Sequence, residues 1–210
     1  DRSPSRGLGD VYKRQVKYYR CLTGELDGFP VLVARTGYTG EDGYELYVPA
    51  KAAAHLWQLL MDAGGEDLTP CGLACRDTLR LEAGMPLYGH ELGTDIHPSQ
   101  AGLGRVVNFK KEGDFVGRCA LENRDTTADR VLVGLTGEGR RAGRAGYAVV
   151  NEDKTVGAIT SGILSPTLGH PIAMAFVDPD VAKIGTSLSV DVRGKALNTT
   201  VVELPFYKRS

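Results

Sequence analysis

With 210 residues the chain is long enough for one large domain or two modest ones, at ~100–200 residues each. Its 25 basic and 26 acidic residues leave a formal net charge of −1, which argues against a general binder of nucleic acid or of membrane surfaces, since phosphate affinity needs clustered Lys and Arg. No apolar run reaches the ~18 residues of a transmembrane helix, and Cys21, Cys71, Cys75 and Cys119 are too few for a disulfide framework and suit a reducing, cytoplasmic setting.

Residues 1–15 are polar and without periodicity and lack the apolar stretch of a secretory signal. They read as a non-native-looking extension, foreign coding sequence joined to a gene truncated at Val16. Val31–Arg35 is a β-branched run, and Tyr44–Val48 alternates at period two, so the pair predicts a hairpin. In its second strand Glu45 shares one face with Tyr47, opposite the more apolar face of Tyr44, Leu46 and Val48. The connection holds Gly37, Gly40 and Gly43, residue types that accept positive φ. Tyr18, Tyr19 and the Val31–Val33 stretch read as candidates for an unpaired sheet edge.

Pro49 followed by Ala50–Met61 predicts a helix that ends at Gly64-Gly65. A second helix is expected from about Gly72 to Ala83, with Arg76 and Arg80 on one face and Asp77 within reach of Arg80 at i, i+3. Cys71 and Cys75 are four apart, yet no His or second Cys pair completes a zinc pattern, so core packing is expected of them rather than metal binding. His55, His90, His97 and His170 occupy no motif. Arg140, Arg141 and Arg144 read as a solvated turn.

From Val131 onward six short apolar runs, separated by Gly, Pro, Asn and Asp, predict a small all-β barrel or sandwich. The polar segment Asn123–Asp129 marks the boundary. The expectation is therefore an α+β fold: a partial domain over 16–123 and a C-terminal β-barrel domain over 130–210.

Two segments carry most of the chemical information: Arg35-Thr36-Gly37-Tyr38-Thr39-Gly40-Glu41-Asp42-Gly43-Tyr44-Glu45-Leu46 and Leu73-Ala74-Cys75-Arg76-Asp77-Thr78-Leu79-Arg80-Leu81-Glu82-Ala83-Gly84. The glycines make neither a phosphate loop nor a dinucleotide fingerprint, because no Lys-Ser or Lys-Thr follows in register and no Gly-x-Gly-x-x-Gly precedes a helix. Glu45 on a strand could read a flat array of ring donors, and Arg76 on a helix could grip a carboxylate with its fork of N–H groups. The residues alone favour the plainer reading, in which Glu45 and Arg76 pair with Asp77, Arg80 or each other, because ion pairs at element surfaces are common.

These segments resemble the glycine cleavage T-proteins, tetrahydrofolate-dependent aminomethyltransferases. The resemblance continues through Asp114-Phe115-Val116-Gly117, Val156–Gly162 and Ser165-Pro166-Thr167-Leu168. It implies a partial T-protein folate-binding domain followed by the family's small barrel. It also implies that Glu45 and Arg76 contact folate, that Arg209 at the end of Pro205-Phe206-Tyr207-Lys208-Arg209 adds a further contact, and that Glu41 and Asp42 shape the turn. The implied acceptor is tetrahydrofolate with no metal, and the implied partner is lipoylated H-protein in the bacterial cytosol. The family's catalytic Asp belongs to an N-terminal region that would precede Val16, so no residue here is assigned as catalytic, and the chain alone is expected to be inactive. Gln100 and Arg105 depart from the family, which usually has Glu and often Trp at those positions. Two related readings stay open: the folate section of a flavoenzyme demethylating dimethylglycine or sarcosine, and a non-enzymatic folate-binding relative.

Overall fold

The computed structural model describes residues 16–209; the stretch 1–15, read above as foreign, lies outside them. The chain forms two compact units, the first ending at Arg76 and the second beginning at Asp77.

The first unit is built on an antiparallel three-stranded sheet in the order β1 (Cys21–Leu26), β2 (Phe29–Ala34), β3 (Glu45–Tyr47). The β1–β2 hairpin closes on Asp27 and Gly28, whose φ values of 49° and 77° are those of a two-residue turn with both central residues left-handed. The expected β2–β3 hairpin forms in the register Leu32↔Tyr47, Val33↔Leu46, Ala34↔Glu45. Strand β2 is therefore central rather than the expected edge, because β1 pairs along its other side, and Val31 and Ala34 are buried. The apolar face of β3 is not deeply covered either, since Leu46 is 37% exposed.

A single 3-10 turn, Ala50–Ala52, leads from Pro49 into α1 (Ala53–Gly64), which Gly65 closes at φ 50°. Ala52 and Leu56 are buried, while Trp57 and Leu60 on the same helix stand exposed. Helix α2 (Leu73–Glu82) follows, and its first turn is open to solvent, with Leu73 84% exposed. For that reason Cys71 is exposed and Cys75 only half-buried, against the core packing expected of them.

In the second unit the residues after α2 run through turns and the short helix α3 (Arg118–Glu122). Gln100 fits its place: its carbonyl accepts the His97 N–H at 2.8 Å and its amide donates to the Arg130 carbonyl at 3.1 Å. The segment toward the barrel is tied by Arg124–Asp129 at 3.0 Å. Beside it the Thr127 backbone N–H and hydroxyl hold the Asp125 carboxyl below the usual carboxylate range.

Strands β4 (Val131–Gly137), β5 (Ala148–Asn151), β6 (Lys154–Leu164), β7 (Pro171–Val177), β8 (Ser187–Asp191) and β9 (Ala196–Val202) close a barrel in the order β4-β7-β6-β5-β8-β9. All the pairings are antiparallel. Period two decides which side chains fill it. Along β7, Ala173, Ala175 and Val177 join the interior core with Val133, Leu135, Val149 and Val190, whereas Ile172 and Met174 point outward. These two are nonetheless buried, because Leu81 of α2, with Leu204 and Phe206 of the C-terminal tail, packs over them. Gly134 of β4 makes room for that tail: a Cβ there would lie 2.9 Å from Leu204 Cδ2 and 3.1 Å from Phe206 Cε1.

Gly157 is a tighter case. An added Cβ would meet the Phe176 carbonyl oxygen at 2.2 Å and Val177 Cα at 2.9 Å, both backbone atoms of β7 that the ladder holds in place. Gly157→Ala is expected to cost ~1–3 kcal/mol through displaced strands. A urea titration leaving the midpoint unchanged would show that β6 and β7 can part there.

Two buried charges on the last turns of α2 fasten it to β6 and the turn beyond. Arg80, 1% exposed, donates to Ser161 at 2.8 Å, to Glu91 at 3.2 Å and to the Met85 carbonyl at 3.3 Å, besides pairing with Asp77 at 2.7 Å. Ser161 in turn donates to Glu91 at 2.6 Å, and Leu87 N–H completes the Glu91 carboxylate at 2.9 Å. Glu82 accepts from the Ser165 hydroxyl, from the Thr167 hydroxyl at 2.9 Å and from the Thr167 N–H at 3.3 Å. Its backbone carbonyl accepts the Tyr207 N–H at 2.9 Å, which draws in the tail. Every charged group in this cluster thus has partners, as burial of charge requires.

Candidate functional site

The β2–β3 connection organises the candidate site in the first unit. Leaving Ala34, the ladder partner of Glu45, the chain enters Arg35-Thr36-Gly37-Tyr38. Arg35 pairs with Asp42 at 3.1 Å, which closes the loop, and Thr39 Oγ1 accepts the Glu41 N–H at 3.3 Å. Asp42 thus acts within the turn through its carboxylate, and Glu41 through its backbone N–H. Of the three glycines, Gly40 has a positive φ, 76°, while Gly37 and Gly43 do not take the left-handed conformation. At those two positions the advantage of glycine is not the sign of φ.

The two residues singled out for folate are each held by this connection. The Thr36 hydroxyl donates to Glu45 Oε2. The Tyr38 ring lies under the Arg76 guanidinium, whose central carbon is 4.7 Å from the ring centroid, a cation–π distance. Glu45 is half-buried on β3 and Arg76 exposed on the first turn of α2. Among the described residues neither forms an ion pair, and Asp77, the alternative partner, is taken by Arg80. The geometry therefore offers a carboxylate and a guanidinium, each oriented by the turn and neither ion-paired among the described residues.

Arg209 belongs to the second unit, exposed at the end of the tail, two residues beyond the Tyr207 N–H that is anchored on Glu82. Arg76 and Arg80 share a helix stripe but separate in role: Arg76 is exposed, Arg80 buried in the Glu91–Ser161 cluster. That cluster went unforeseen, with only its Asp77 contact readable from spacing. Elsewhere His90 Nδ1 lies 2.8 Å from the Thr160 carbonyl and His97 Nδ1 lies 2.7 Å from Ser99 Oγ, and Arg140, Arg141 and Arg144 are exposed. Among the described residues no group of His, Cys, Asp or Glu could hold a metal ion, and no helix is long and apolar enough to cross a membrane.

Comparison with known proteins gives this geometry a family. Residues 7–111 match the family described as GCVT N-terminal domain, and residues 130–208 that described as glycine cleavage T-protein C-terminal barrel domain. The first match begins inside the stretch that was expected to be foreign. The chain is 57% identical over 210 residues to an aminomethyltransferase of Streptomyces avermitilis, covering 97% of this chain and 56% of that protein. It is 47% identical over 187 residues to the Bacillus subtilis aminomethyltransferase, covering 88% and 52%. Its structure resembles the crystal structure of glycine cleavage system aminomethyltransferase T from Bartonella henselae with a TM-score of 0.83 at 31% identity, over 93% of this chain and 54% of that one. The chain thus spans little more than half the length of these relatives. Half of the chain matches the first domain and most of the remainder the barrel that follows it, so the chain belongs to the glycine cleavage T-protein family.

Proposed function

We propose that this chain supplies folate-binding residues to a tetrahydrofolate-dependent aminomethyltransferase. In that reaction a folate nitrogen attacks the aminomethyl carbon carried on the lipoyl arm of H-protein, ammonia leaves, and methylene-tetrahydrofolate forms. The reading takes H-protein as the partner, tetrahydrofolate as the acceptor, and the bacterial cytosol as the setting. One observation carries it: Glu45 and Arg76, on different elements, are both oriented by the Thr36–Tyr38 turn and both lack an ion-pair partner among the described residues.

Glu45 would accept N–H donors from the pterin ring, and Arg76 would pair with a carboxylate of the glutamate tail through parallel N–H bonds. Arg209 is proposed as a further contact. The contribution of these groups to rate is orientation, which holds the attacking nitrogen in a productive geometry. No residue of the chain is given the proton-transfer role.

Truncating Glu45 or Arg76 to Ala in the full-length protein is expected to weaken tetrahydrofolate binding by ~1.5–3 kcal/mol each, the range for a hydrogen bond to a charged group. Arg76→Lys is expected to weaken it as well, since a single ammonium cannot replace the planar fork. Calorimetric titration with tetrahydrofolate checks all three, and curves that match the parent for both Ala variants would remove these residues from the site.

A further inference from the structure

Resting on that folate reading, we propose that Thr36 and Tyr38 are positioning residues, each setting the geometry of one binding group: the Thr36 hydroxyl that of the Glu45 carboxylate, the Tyr38 ring that of the Arg76 guanidinium.

Without Thr36 and Tyr38, Glu45 and Arg76 would be weakly restrained. Glu45 stands half-buried on a three-residue edge strand, and its terminal torsion is intrinsically broad. Arg76 stands exposed on the first turn of a helix whose neighbouring Leu73 is itself 84% exposed, so the backbone does little to restrict its long stem. Both would sample many rotamers, and a ligand would have to immobilise them on binding, which lowers affinity.

The turn removes that freedom. Thr36 is two residues past Ala34, the residue opposite Glu45 in the ladder, so its stiff β-branched side chain reaches the carboxylate from a fixed base. Its hydroxyl engages Oε2, and among the described residues Oε1 has no hydrogen-bond partner. The carboxylate plane is set while one oxygen stays open to an incoming N–H. Two residues further, the rigid Tyr38 ring presents its face to the guanidinium at 4.7 Å. A ring face attracts the cation without occupying the in-plane N–H donors, which stay directed outward for a carboxylate. One short segment, fastened by Arg35–Asp42 at its base, thus preorganises both recognition groups.

The test is calorimetric titration of tetrahydrofolate into full-length Thr36→Val, Thr36→Ser, Tyr38→Leu and Glu45→Ala variants and the Thr36→Val/Glu45→Ala double variant, with thermal midpoints recorded alongside. Thr36→Val, which keeps shape and loses the donor, is expected to raise Kd about three- to tenfold, and Thr36→Ser to restore it. Tyr38→Leu is expected to raise Kd about two- to fivefold. In the Glu45→Ala background the Thr36→Val effect should shrink to within about twofold, because no carboxylate is left to orient. If Thr36→Val does not fold, Thr36→Ala takes its place. Parental affinity in Thr36→Val and Tyr38→Leu, with Glu45→Ala still weakened, would overturn the proposal and leave the folate reading standing. An undiminished Thr36→Val loss in the double variant would also overturn it, by showing that Thr36 acts through something other than Glu45. Parental affinity in Glu45→Ala itself would instead defeat the folate reading.

Discussion

Replacing Arg80 by Met is expected to destabilise the second unit by ~3–5 kcal/mol, because it leaves the Glu91 carboxylate buried with its countercharge gone. Glu91 has no exposed surface, and Arg80 is 1% exposed. Met has nearly the volume of the lost side chain, so the loss isolates charge and hydrogen bonding rather than a cavity. The Asp77 contact adds little, since Asp77 is about half exposed and such pairs are worth ~0–1 kcal/mol. Adding Glu91→Gln to Arg80→Met should recover part of the loss: the amide carbonyl can still accept from Leu87 N–H or from Ser161, and no naked charge remains. Urea titration followed by far-ultraviolet circular dichroism measures both variants. A loss for Arg80→Met below about 1 kcal/mol would mean that the cluster behaves like a surface pair, with water reaching Glu91.

Met174→Ala is expected to cost ~2–5 kcal/mol, the range for emptying a buried large side chain. The site is unusual in being on the outside of the barrel yet fully buried, packed with Leu81, Ile172, Leu204 and Phe206. The void would therefore open between the barrel wall and its cover, not inside the barrel. The tail should loosen before the barrel does, so amide exchange at Tyr207, whose N–H is bonded to Glu82, should quicken more than exchange at Ala173 or Ala175 on the same strand as Met174. Equal acceleration throughout β7 would show instead that wall and cover unfold together.

The elements that could be read in advance are those whose pattern is local. The hairpin of Val31–Val33 with Tyr44–Val48 and the six barrel strands follow from alternation, and α1 from Pro49 and Gly64-Gly65 at its ends. Strand β1 was missed because Gly24 interrupts a weakly apolar run, although Asp27-Gly28 carried the turn signal. The burial of Arg80, Glu82 and Glu91 was illegible for another reason. Charged residues are exposed by default, and the partners that reverse this, Ser161, Ser165 and Thr167, lie 70–85 positions away in sequence. For the site, the motif resemblance pointed to Glu45 and Arg76. That one turn grips both could not be read, because Tyr38 and Arg76 are far apart along the chain and nothing in their spacing says that they meet.

Trp57 is the only tryptophan of the chain and sits exposed on α1 in the first unit. Selectively excited indole emission is therefore a reporter of that unit alone, and the barrel is optically silent in it. A denaturation curve read by this emission and one read by circular dichroism sample different parts of the same molecule. Where the two midpoints coincide, folding is a single cooperative event across the Arg76/Asp77 division; where they separate, the interval between them measures how independently each unit melts.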